Sequence, residues 1–204
     1  MIGQAEATPA IPAPGFADAT RDAQRAFRAI LDALSHPTTS QPLIGPADPP
    51  SALGRGLGAI ALTILDEECS LWLGSSLDDG ESTAWLAFHT GARRASDPAE
   101  AEFVFADVAC LPRLGRLARG TEEEPHRSAT VVLDVRGCTG TARFRAEGPG
   151  IDGATVFDAP WADDDFLPQW NENSSLFPRG VDLLLVDVDT VAALPRTTRL
   201  EREA

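Results

Sequence analysis

The stretch ATVVLDVRGCTGTARFRAE, residues 129–147, decides how the fold is read. Two runs inside it, 129–136 and 141–147, have the aliphatic and β-branched content of strands. The link between them, Gly137-Cys138-Thr139-Gly140, is a hairpin-type connection, so the two strands are expected to be neighbours. Towards the C-terminus, Glu147-Gly148-Pro149-Gly150-Ile151 reads as a tight turn. The acids at 163–165 make a favourable helix start ahead of Phe166, Leu167 and Trp170. The run 182–187 is a central strand, and 191–194 with 197–201 close the chain.

Towards the N-terminus, 102–106 is a strand. Leu111, Leu114, Leu117 and Ala118 form the apolar stripe of a short helix, with Pro112 in its first turn and Gly120 at its end. A helix over 82–89 carries Trp85, Leu86 and Phe88, and 69–73 is a buried strand. Before it, a Pro-rich turn (42–50) leads to a helix with Ser51 as candidate cap and apolar residues through Ile60, Leu62 and Leu65. Gly54, Gly56 and Gly58 each weaken its start by roughly 1 kcal/mol relative to Ala. In the first helix Ala23, Phe27, Ile30, Leu31 and Leu34 recur at helical spacing, Asp18 is the N-cap and Pro37 the stop. Residues 1–15 form a flexible Ala/Pro leader, and 16–204 a single domain. Helices in the first half and adjacent strands in the second predict an α/β fold, a layered mixed β-sheet with flanking helices.

The 204 residues include 17 Arg but no Lys, no Tyr and only the initiator Met. The bias fits a GC-rich genome as much as selection, yet it excludes chemistry either way. Without Lys there is no Schiff base, no phosphate-loop amine and no covalent pyridoxal phosphate. A net charge of −14 argues against nucleic acid as the main partner. No apolar run approaches a membrane span and no secretory signal is visible. With three scattered cysteines, Cys69, Cys110 and Cys138, this predicts a cytoplasmic protein with reduced, mostly buried thiols.

Constellations with chemistry are sparse. His36, His89 and His126 lie far apart, and no His or Cys pair has metal-ligand spacing, so no metal is expected. No serine sits in a nucleophile elbow. Gly54-Arg55-Gly56-Leu57-Gly58 lacks the preceding strand of a phosphate cradle and reads as a Gly-rich helix start. Arg113, Arg116 and Arg119 recur every third residue, a stripe that clamps phosphate, docks an acidic partner or simply faces solvent. His89, in Phe88-His89-Thr90-Gly91, is a general base if a carboxylate meets it and a capping or buried residue otherwise. Arg196, Thr197, Thr198 and Arg199 offer guanidinium and hydroxyl groups after a strand ended by Pro195. Phe177, Trp161 and Trp170 are either interface anchors or core.

Six segments in order resemble one family. They are DAQRAFRAILDALSHP (22–37), LTILDEECSLWL (62–73), FHTGA (88–92), GPGI (148–151), FPRGVDLLLV (177–186) and LPRTTRLE (194–201). Together they resemble PhnH, the H subunit of the bacterial carbon–phosphorus lyase system. The resemblance implies a subunit of a multiprotein core complex that begins alkylphosphonate breakdown, with subunits G, I, J, K and L as partners. With G, I and L it is associated with displacing adenine from ATP by methylphosphonate, giving ribose 1-methylphosphonate 5-triphosphate; the radical subunit J breaks the C–P bond later. It also implies a homodimer with a fold like that of pyridoxal-phosphate-dependent transferases, lacking the cofactor and any activity of its own. No catalytic or cofactor-binding residue carries over. The competing expectation is a stand-alone enzyme or binding protein for phosphorylated ligands, using His89 with Arg196 and Arg199.

Overall fold

The computed structural model describes residues 13–203. In chain order the regular elements are α1 (Ala19–Ser35), β1 (Gln41–Pro42), α2 (Gly54–Ile64), β2 (Ser70–Leu73), α3 (Gly80–Thr90), β3 (Arg93–Arg94) and β4 (Phe103–Asp107). They continue with β5 (Thr130–Asp134), β6 (Arg143–Glu147), β7 (Thr155–Asp158), α4 (Phe166–Ser175), β8 (Asp182–Val186), β9 (Thr190–Leu194) and β10 (Arg199–Arg202). Seven strands form one mixed sheet in the order β1-β9-β8-β5-β4-β2-β3, in which only β9 runs against its neighbours. The other three form an antiparallel sheet, β10-β6-β7. The α/β architecture with a mixed sheet and flanking helices is therefore as expected.

The large sheet is covered on both faces, and its central strands are accordingly apolar without interruption. Val104, Val131, Leu133, Leu183 and Leu185 point to one side, with α4 and the small sheet. Phe105, Val132, Leu184 and Val186 point to the other, with α1, α2 and α3.

The expected hairpin over 129–147 does not form. β5 pairs in parallel with β4 and β8, whereas β6 pairs with β10 and β7 in the other sheet. β5 is buried on both faces, and β6 alternates between buried and exposed residues, so the two strands suit different environments. The link carries the chain from one sheet to the other, held by the Gly140 N–H donating to the Pro160 carbonyl at 2.9 Å. The helix expected over Leu111–Ala118 is also absent. Only a single 3-10 turn, Leu114–Arg116, forms there, because Arg113 is extended and the Leu114 N–H donates to the Gln169 side chain at 3.0 Å.

Two further expectations shift. In α1 the Asp18 cap holds, its carboxylate accepting from the Arg21 N–H at 3.0 Å. The buried face, however, is Ile30 with Ala26, Ala29 and Ala33, and the three small alanines let the helix approach α2 and β9. Phe27 and Leu31 are left 49% and 45% exposed. Ser51 does not cap α2, which begins at Gly54 without a side-chain cap. Gly56 explains the glycines instead: a Cβ there would lie 2.1 Å from the Asp187 carbonyl oxygen, so α2 presses its backbone against the end of β8.

Residues 1–12 of the expected leader lie outside the described residues. Its end is packed, since the Ala13 carbonyl accepts hydrogen bonds from α3 and Ala13 lies against the helix-side core. The three cysteines are free and half-buried rather than mostly buried. Among the described residues no helix is long and apolar enough to cross a membrane.

Candidate functional site

A cleft of about 720 Å³ opens between the C-terminal half of α4 and β10. One wall carries Asn171, Ser174, Ser175 and, just past the helix, Phe177; the other carries Arg196, Thr197, Arg199, Leu200 and Glu201, with Pro149 from the β6–β7 turn beside them. The cleft follows from how α4 is held. Asp163 accepts from the N–H groups of Asp165 and Phe166 at 3.0 and 2.9 Å and starts the helix. Phe166 and Trp170, four residues apart, then turn one aromatic face into the core. Asn171 and Ser175 remain exposed on the outer side.

Polar pins fasten α4 to the strands. The Trp170 Nε1–H and the Ser174 hydroxyl both donate to the Thr198 carbonyl, at 2.9 and 3.3 Å. Asn173, only 2% exposed, accepts from the Val181 N–H at 2.8 Å and donates to the Val181 carbonyl at 2.9 Å. That clamp fixes both ends of the loop that raises Phe177, which is 65% exposed at the rim.

Arg196 is the hub of the opposite wall. Its guanidinium and its own N–H bind the Asp182 carboxylate, while Nη1 reaches the carbonyls of Pro125 and Pro178 at 3.0 and 3.3 Å. Thr198 is fully buried and its hydroxyl has no partner among the described residues. Arg199 is exposed and forms no ion pair among the described residues.

The structure thus brings Phe177, Arg196 and Thr197 to one cleft, with Thr198 in the same β9–β10 connection. It does not bring the other expected residues there. The His89 Nε2–H donates to the Ala13 carbonyl at 2.9 Å beside the Trp85 Nε1–H, also 2.9 Å, so the ring straps the N-terminal segment onto α3. Among the described residues no carboxylate meets it. Arg113 and Arg119 pair with Asp165 and Glu172 of the α4 region at 2.7 and 3.2 Å, and Arg116 is exposed. With no helix at 111–118 these three arginines form no stripe. Trp161 and Trp170 are core. The polar run Asn171–Ser175, inside an otherwise aromatic helix, was the available signal for the helix wall and does not read as a site from spacing alone.

The carboxyl edge of the parallel strands is where open α/β sheets usually hold ligands. Here the protein's own groups fill part of it, beside a smaller pocket of about 320 Å³ lined by Val135, Gly137, Cys138 and Asp187. Arg136 binds Asp134 through Nε and Nη2 at 2.8 and 2.6 Å and reaches the Ala52 carbonyl at 2.7 Å. Burial works against ionisation of Asp107, but hydrogen bonds from Ser76 and Cys110 outweigh it and hold the carboxyl below its ordinary value. Burial, then the nearby Asp134 and Asp187 carboxylates, push the Cys138 thiol up and so favour its protonated form. No cluster of His, Cys, Asp or Glu among the described residues could hold a metal ion.

Comparison with known proteins covers nearly the whole chain. The family model of PhnH, described as a bacterial phosphonate metabolism protein, matches residues 14–201. The chain is 39% identical to the alpha-D-ribose 1-methylphosphonate 5-triphosphate synthase subunit PhnH of Rhizobium meliloti (strain 1021), over 92% of this chain and 94% of that protein. It is 35% identical to the putative C-P lyase subunit protein HtxG of Stutzerimonas stutzeri, over 87% of this chain and 85% of that protein. With its ordered segments and a family match from the α3-bound N-terminal strap to β10, the chain belongs to the PhnH family of bacterial phosphonate metabolism proteins.

Proposed function

We propose that this chain is the H subunit of a carbon–phosphorus lyase core complex in the cytoplasm. It supplies contacts and no catalytic group to the transfer of the ribose triphosphate of ATP to methylphosphonate, with adenine displaced. The observation that carries the reading is the 39% identity to the synthase subunit along 94% of that relative's length. The geometry supports it. His89 and Arg196, the residues a stand-alone enzyme would use, are engaged by Ala13 and Asp182, and only Arg196 borders the cleft. The partners in this reading are a second copy of the chain and subunits G, I, J, K and L. The scaffold is a transferase-like fold in which the missing Lys removes the covalent anchor for pyridoxal phosphate.

The test is adenine release from ATP plus methylphosphonate. The purified chain alone is expected to release none, and co-expression with G, I and L is expected to give turnover that omission of this chain abolishes. Turnover by the chain alone, or a complex equally active without it, overturns the reading.

A further inference from the structure

β10 is an edge strand among the described residues: it pairs with β6 on one side and with no described strand on the other. The Glu203 N–H donates to the Arg143 carbonyl at 3.1 Å, extending that pairing by one residue. Bonded and non-bonded residues alternate along an antiparallel ladder, so Arg199 and Glu201 turn their backbone groups towards β6 while Thr198, Leu200 and Arg202 turn theirs outward. Thr198 confirms the phase, because its carbonyl is met from the outside by Trp170 and Ser174 of α4. Leu200 and Arg202 have no such partner among the described residues.

The 720 Å³ cleft borders that free edge from Arg199 to Glu201 and stops short of Arg202. Successive strand residues point to opposite faces, yet Arg199, Leu200 and Glu201 all border the cleft, which places it beside the strand and not over one face. Its helix wall offers Asn171, and its rim the exposed aromatic ring of Phe177. Arg199 stands in it with no ion pair among the described residues, although the Glu201 carboxylate also borders the cleft.

From these observations we infer that the cleft takes an extended segment of a partner chain, which adds to β10 as a further strand and sets a carboxylate side chain against Arg199. The inference rests on the complex-subunit reading and deepens it. Main-chain bonds to Leu200 and Arg202 supply affinity, Arg199 selects an acidic residue, and Phe177 covers an apolar one. An edge arginine with no ion pair among the described residues, as Arg199 is, fits an incoming carboxylate better than a neutral ligand.

The experiment measures binding of the full chain to the co-purified G, I and J subunits, using three variants. Arg202→Pro removes an outward N–H without touching the β6 ladder, and Arg202→Ala controls for loss of the exposed Asp164 pair. Arg199→Glu reverses the selecting charge. Arg202→Pro is expected to bind at least tenfold more weakly than Arg202→Ala, and Arg199→Glu at least tenfold more weakly than the parent. Thermal melts of the free variants should match the parent. If the parent assembles and these variants bind as well as it does, the strand addition is wrong while the subunit reading stands. If the parent does not assemble at all, the subunit reading falls and takes this inference with it.

Discussion

The two faces of the seven-stranded sheet are held by different means. On the α1–α3 face the core is mainly aliphatic, with Trp85 and Phe105 set among alanine, leucine, isoleucine and valine, and helices approach closely on small residues such as Ala29, Ala33 and Gly56. On the α4 face a chain of aromatic rings runs through the core, with Phe166 touching both Phe144 and Trp170, and the backbone is pinned by the buried side chains of Asn173 and Trp170. On the first face close packing draws the helices against the sheet. Pinning by discrete polar bonds allows α4 to stand beside β10 with a gap, and the candidate site lies in that gap.

Substitutions on each face test this contrast, and denaturant unfolding reads all of them. The largest expected effect is Asn173→Ala, which leaves the Val181 N–H and carbonyl unpaired and should cost about 4 kcal/mol, at roughly 2 per orphaned group. On the packed face, Gly56→Ala drives a methyl into the Asp187 carbonyl and should cost about 3 kcal/mol through overpacking. Were Asn173→Ala nearly neutral, the polar pins would not be what holds α4. Asp182→Asn weakens the part-buried clamp on Arg196, and about 2 kcal/mol is expected, less than a fully buried pair because both groups retain some solvent. Trp170→Phe keeps the ring and removes only the N–H to Thr198, for about 1 kcal/mol.

The smallest effect depends on pH. Hydrogen bonding from Arg94 leads in holding the Asp78 carboxyl below its ordinary value. A folded pKa below the unfolded one adds stability that is present above the unfolded pKa and lost as pH falls through the folded pKa. Asp78→Asn should therefore be less stable than the parent near neutral pH and converge with it in acid. Solvent screening keeps the gap below about 1 kcal/mol. A gap that widens in acid would reverse the assignment.

Local signals exposed most of the elements. Asp18 and Pro37 bracket α1, and the LLLV run marks β8. What was hidden depended on partners distant in sequence. The link at 137–140 looks like a hairpin until Gly140 meets Pro160, and Leu111–Leu117 looks helical until Gln169 takes the Leu114 N–H. β7 lacked a strong enough pattern to be singled out. The site divided likewise. Phe177, Arg196, Thr197 and Thr198 fell together because two short segments carry them, whereas the engagement of His89 by Ala13 and of Arg113 by Asp165 is set by contacts spanning 76 and 52 residues.

The double cap on the Thr198 carbonyl has a consequence beyond holding a helix. An open strand edge is a template for runaway stacking of identical chains, and proteins blunt such edges by keeping them short and charged. By covering Thr198, Trp170 and Ser174 reduce the outward-facing backbone of β10 to Leu200 and Arg202, with charged Arg199, Glu201 and Arg202 along the strand. That is long enough to greet one guest and too short to seed a fibre.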